Sequence, residues 1–304
     1  MADNSTAAYE TLSDFQIICA AIAFYNSFEV FGLIFLTFSK YRSLYFWSLI
    51  ASSVGIIWFV GGFLDLFYHM YEPNRSVYEP LFILTLGWYG MVTGFALVLY
   101  SRLHLIGVPK QYIFYAKCFI CYNIVFSHFP TTTLTFGSNI NGAVWTYGYS
   151  IMEKIQMTFF SLQEIILSSL YLYYVQRMTL SHKFTKLVKQ TLVINVVVLF
   201  LDVSMLSVEY AAQPSNDLYN YQIMLKAVVY SIKLKLEFYI LNVLTRSLDR
   251  EGAVATGHPT NKTSSVANQE LSPASQHLTA PPNPDAVSSA SARFSSKTWR
   301  SVRS

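Results

Sequence analysis

Long, nearly continuous apolar runs occupy residues 15–38, 44–70, 80–104, 111–135, 149–176, 187–210 and 220–245. They lack the two-residue alternation of barrel strands, and each exceeds the about 20 residues that carry a helix across a hydrocarbon core of about 30 Å. The pattern predicts an all-α integral membrane protein, a seven-transmembrane-helix bundle. Short links between the runs carry turn chemistry: Tyr41-Arg42-Ser43, Glu72-Pro73-Asn74, Gly107-Val108-Pro109, Gly137-Ser138-Asn139 and Pro214-Ser215-Asn216. Past residue 247 the pattern stops, and Ser, Ala, Pro, Thr and Asn dominate. Such a segment has too little large apolar surface to offset its ordering entropy, which predicts a disordered tail. The expected organisation is an N-terminal segment over 1–14, the seven-helix domain over 15–246 and the tail over 247–304.

Composition agrees with lipid as the surrounding solvent. Hydrophobic residues make up 53% of the chain and charged residues 12%, about half the roughly 25% usual in soluble domains. A net charge of +4 is too small to suggest nucleic-acid binding. The three cysteines cannot build a disulfide framework. Cys118 and Cys121 have CxxC spacing but sit in an apolar run without a second ligand pair, so no metal or other cofactor is expected.

The placement of basic residues says more than their number. Lys40, Arg42, Arg102, Lys110, Arg177, Lys183, Lys186, Lys189, Arg246 and Arg250 all fall on one side of the predicted bundle, and Arg75 alone on the other. The positive-inside rule then puts the tail in the cytosol and the N-terminus in a lumen or outside, with the endoplasmic reticulum as the expected membrane. No cleavable signal peptide is expected, because Asp3, Glu10 and Asp14 stand where a basic lead would be. Asn4, in Asn4-Ser5-Thr6, becomes a glycosylation acceptor on the permitted side, and Asn261-Lys262-Thr263 falls on the wrong one.

The residues that bear on function are the charges inside the spans: Glu29, Asp65, Glu153, Lys154, Glu164, Asp202, Glu209, Lys226, Lys233, Lys235 and Glu237. Each costs about 2.5–3.5 kcal/mol at mid-membrane, so they should face the bundle interior and find partners. Helical phase agrees: Glu153 and Glu164 share a face, as do Asp202 and Glu209, and Lys233 with Glu237 has ion-pair spacing. Depth and orientation together suggest a polar cavity opening away from the cytosol. The simpler alternative is that these charges are interhelical glue. Against it, seven carboxylates meet four lysines, so some acids are expected to keep a proton and act as general acids. Aromatic walls are expected from Tyr25, Trp47, Trp58, Trp88, Tyr89, Tyr147, Tyr149 and Tyr230.

Several strings carry a resemblance. Tyr25-Asn26-Ser27-Phe28-Glu29, Leu86-Gly87-Trp88-Tyr89, Pro130-Thr131-Thr132-Thr133, Met152-Glu153-Lys154-Ile155-Gln156, Val208-Glu209-Tyr210 and Tyr230-Ser231-Ile232-Lys233-Leu234-Lys235-Leu236-Glu237 resemble a family of fungal seven-span membrane proteins. Within it the chain looks similar to the membrane-bound terpene cyclases of the ascochlorin and ascofuranone type, over roughly residues 20–245. That resemblance implies a lipophilic substrate, an aromatic core whose prenyl chain ends in an epoxide. A carboxylic acid would protonate the epoxide, and a carbocation would close the ring without metal or nucleotide. A prenyltransferase and an epoxidase in the same membrane are the implied partners. Glu153 or Glu209 is the expected proton donor; Asp65 and Asp202 would assist or take the final proton. Glu29 and Glu164 rank next, and Lys233 with Glu237 is assigned to structure.

A seven-span receptor is the chief alternative. The third span ends Tyr100-Ser101-Arg102-Leu103-His104, without an acidic-Arg-aromatic switch, and the seventh lacks NPxxY. A retinal protein would use Lys233, yet Pro80 to His104 contains no carboxylate for a counter-ion. A transporter ranks third, because no repeat or paired broken helices are apparent.

Overall fold

A computed structural model describes residues 2–38, 41–69, 76–141, 143–179, 185–212 and 218–255. Among them all regular structure is helical: α1 (Ala2–Thr37), α2 (Leu44–His69), α3 (Tyr78–Ile106), α4 (Lys110–Asn123), a π turn (Ile124–His128), α5 (Phe129–Asn141), α6 (Ala143–Thr179), α7 (Thr185–Ala211) and α8 (Leu218–Ala255). Because α4, the π turn and α5 follow without a break, the described residues form seven helical rods.

Four rods contain stretches long and apolar enough to cross a membrane: Glu10–Thr37, Leu44–Tyr68, Tyr78–His104 and Lys189–Ala211. The other three differ for a physical reason. α6 and α8 carry most of the buried charges, and the fourth rod is split by its π turn. Large apolar side chains cover the outside, among them Leu36, Phe129 and Phe200, each at least 70% exposed. In water that belt would be costly; in lipid it is the preferred surface. The chain is a helical membrane protein.

α2 and α3 make the closest packing. A Cβ added at Gly55 would collide with the backbone of Gly90 and Met91, so the two helices approach as only small residues allow. The core grows outward from this pair and includes Phe46, Phe59, Phe95, Phe160 and Leu234. α3 ends at Gly107, whose φ of 75° is left-handed. Its N–H donates to His104 O at 3.3 Å, and Val108 N–H to Leu103 O at 3.4 Å, a helix stop of the Schellman kind.

Two expected boundaries move. α1 already starts at Ala2, inside the predicted N-terminal segment, and Asn4 lies within it. α8 continues to Ala255, beyond the predicted tail boundary at 247, because Arg246, Asp249, Arg250 and Glu251 are compatible with helix although not with lipid. Residues 256–304, with the rest of the predicted tail, lie outside the described residues, as do the expected turns at Glu72-Pro73-Asn74 and Pro214-Ser215-Asn216. Gly137, read as a turn, stays helical inside α5. One glycine costs a helix only about 1 kcal/mol, which packing against α6 offsets.

Candidate functional site

One face of α8 is polar through the middle of the bundle. Lys226, Tyr230, Lys233 and Glu237 recur at intervals of three or four residues and are all buried, a column about 16 Å long at 1.5 Å per residue. α6, α7 and α3 each lend partners to it, so the charges are met across helices.

The first level centres on Lys226. Its Nζ lies 2.6 Å from Glu153 Oε1 of α6 and 2.8 Å from Glu209 Oε2 of α7. The second level, two turns along, repeats the arrangement: Lys233 Nζ is 2.7 Å from Glu164 Oε2 and also pairs with Asp202 Oδ1. Tyr230 donates its hydroxyl to Glu164 Oε1 at 3.0 Å. Each level therefore sets two carboxyl groups around one ammonium, and at the first Lys154 of α6 also lies within electrostatic reach of Glu209. With no other cation near, such a buried site is neutral when one carboxyl carries a proton and the other forms the ion pair with the ammonium. At the third level Glu237 pairs with Arg102 of α3, whose guanidinium stacks 3.8 Å from the centre of the Tyr171 ring.

The expected Lys233–Glu237 pair is thus replaced. Both residues face inward, but longer-range partners on α6, α7 and α3 capture them. The same-face readings of Glu153 with Glu164 and of Asp202 with Glu209 hold, yet each same-helix pair is split between the two levels. Glu29 of α1 takes Lys235 at 2.5 Å in a partly exposed pair, on another face of α8. Asp65 is half-buried in α2 and does not line the cavity described next.

The levels differ in the space beside them. At the first, a cavity of about 70 Å³ lies among α2, α3, α5, α6 and α8. Glu153 and Lys226 line it together with Phe59, Trp88, Tyr89 and Tyr149. Lys226 Nζ sits 5.7 Å from the Trp88 ring centre, and Trp88 packs against Phe59 at 5.6 Å. The cavity lies toward the end of the bundle where α3, α6 and α8 begin. Of the aromatic residues named from sequence, Trp88, Tyr89 and Tyr149 line it and Tyr230 serves the second level. Tyr25, Trp47, Trp58 and Tyr147 instead point outward.

Two groups escaped the sequence reading. Arg102, an end-of-span charge by sequence, is buried, its stem drawn in by Glu237. His128 ends the π turn, buried 4.2 Å from the Tyr89 ring and hydrogen-bonded to Thr93 and Gln156. A lone histidine in an apolar run gives little warning of such a network, and a π turn gives none. Cys118 and Cys121 are both exposed on α4.

No curated protein and no solved structure matches this chain. A family described as Domain of unknown function (DUF7703) matches residues 8–259. That match spans all seven rods and both acid–lysine levels, and the chain belongs to this family.

Proposed function

We propose that the chain is a seven-span bundle of the endoplasmic reticulum membrane, with its N-terminus in the lumen and its tail in the cytosol. We further propose that it acts as a membrane-bound terpene cyclase in meroterpenoid biosynthesis. The observation that carries this reading is Glu153. It borders the aromatic-walled cavity while sharing one ammonium with a second buried carboxyl.

That arrangement supplies a neutral acid beside an apolar guest. Glu153 gives its proton to the oxygen of a terminal epoxide on a prenyl chain. The carbon–oxygen bond at the more substituted carbon breaks, and the resulting cation is attacked by a double bond further along the chain. Loss of a proton from carbon to the Glu153–Glu209 pair ends the sequence, so the product is an isomer of the substrate and the acid is restored. The faces of Phe59, Trp88 and Tyr149 each stabilise the passing cation by about 0.5–2 kcal/mol. Glu209 balances Lys226, whose charge would otherwise oppose a cation nearby.

Purified chain in lipid nanodiscs, given a farnesylated arene with a terminal epoxide, is expected to form a cyclic isomer of unchanged mass. Glu153→Gln keeps the size and neutrality of the protonated group but donates no proton of that kind. It is expected to lower turnover at least about 100-fold with little change in thermal stability. Full turnover by a well-folded Glu153→Gln protein would remove Glu153 from the acid role; no turnover by the wild type would reject the cyclase.

A further inference from the structure

The cavity has a second polar corner that the ring-closing chemistry does not use. Thr131 of α5 and Gln156 of α6 both line it, 8% and 1% exposed. Three neighbouring threonines return their hydroxyls to the carbonyl four residues back: Thr132 to His128 at 2.7 Å, Thr133 to Phe129 at 3.1 Å and Thr135 to Thr131 at 2.8 Å. Thr131 departs from that habit. Its Oγ1 is buried and meets no hydrogen-bond partner among the described residues. A buried hydroxyl left unpaired is costly, so a side chain held this way in a cavity wall calls for a guest atom.

Gln156 is oriented from behind. Its Nε2 lies 3.3 Å from His128 Nδ1, and His128 Nε2 lies 2.8 Å from Thr93 Oγ1. An amide nitrogen only donates, so Nδ1 accepts, the ring proton sits on Nε2 and Thr93 receives it. With its nitrogen held by His128, Gln156 keeps its carbonyl oxygen, which only accepts, for a different partner. The π turn Ile124–His128 presents His128 for this task just before Thr131; such turns often occur at functional sites.

The corner thus combines a hydroxyl that gives or takes with a carbonyl that only takes. One common group satisfies both. A hydroxyl on the guest donates to Gln156 Oε1 and accepts from Thr131 Oγ1, whereas a ketone or ether oxygen leaves Gln156 unmatched. We propose that Thr131 and Gln156 form a subsite for the phenol or alcohol hydroxyl of a lipophilic guest, with His128 as the positioning residue for Gln156. This rests on the cavity being the guest site, as in the cyclase reading, but not on any reaction taking place there.

The test is equilibrium binding to the full chain in nanodiscs of two radiolabelled probes, a farnesylated phenol and its O-methyl ether. The wild type is expected to prefer the phenol by about tenfold, because a site built for a hydroxyl penalises the analogue without one. Thr131→Val and Gln156→Leu should each bring that ratio to about twofold or below, and Thr131→Ser should keep it. His128→Leu should lose the preference, while His128→Asn, which retains an acceptor for Gln156, should restore most of it. A purely structural role for these residues would lower binding of both probes together and leave the ratio unmoved. A wild-type ratio near one, no binding of either probe, or an unchanged ratio in Thr131→Val overturns the proposal. A protein that keeps the ratio but turns over no epoxide keeps the subsite and loses the cyclase; turnover without the ratio does the reverse.

Discussion

The two buried levels on α8 are chemically almost the same and sit in different surroundings. Lys226 with Glu153 and Glu209, and Lys233 with Glu164 and Asp202, each place two carboxyls around one ammonium. Around Lys233 the neighbours are aromatic: Phe95 and Tyr230 lie against the ammonium at 5.5 and 4.6 Å, and Tyr230 occupies a Glu164 oxygen. Around Lys226 a cavity takes the place of one wall. Charge alone therefore does not make a site. The Lys233 level ties α6, α7 and α8 together, and the open one presents the same chemistry to a guest.

Replacing each lysine by methionine sharpens that contrast. Lys233→Met leaves two packed carboxyls without a counter-charge, and removal of one partner from a buried ionic group costs about 3–5 kcal/mol. The expected outcome is a large loss of folded protein in detergent-solubilised thermal unfolding. Lys226→Met removes an equally buried group, but one that lines a cavity, where relaxation is expected to hold the cost to the lower end of that range, about 3 kcal/mol. Equal losses in the two variants would break the distinction between the two levels. Glu29→Gln, in the partly exposed pair with Lys235, is expected to cost under about 1 kcal/mol and leave turnover unchanged. A larger effect there would show that the edge pair belongs to the same network.

Much of the fold was legible because hydropathy is a summed signal. Seven apolar runs became seven rods, and Gly107-Val108-Pro109 stopped α3 where its turn chemistry said it should. The helix ends were less legible: Ala2 and Ala255 lie in polar stretches that suit water and helix equally. In the site, the inward facing of Glu153, Glu164, Asp202 and Glu209 could be read from spacing, because each helix fixes its own phase. Which acid meets which lysine depends on how helices stand in depth relative to one another, which one chain segment does not encode. That is why Lys233 looked paired with Glu237, four residues away, and instead meets α6 and α7. Thr131 was indistinguishable in sequence from Thr132 and Thr133; only the hydrogen-bond inventory separates them.

The cyclase reading turns on one carboxyl of the Lys226 level carrying a proton at neutral pH. Infrared spectroscopy distinguishes a protonated carboxyl from a carboxylate by its carbonyl stretch. In the wild type at pH 7, protonated-carboxyl absorption should exceed that of both Glu153→Gln and Glu209→Gln by one group each, because either substitution leaves Lys226 a single, ionised partner. Identical absorption in all three well-folded proteins would mean that both acids are already ionised, and the open level would then hold no acid to donate.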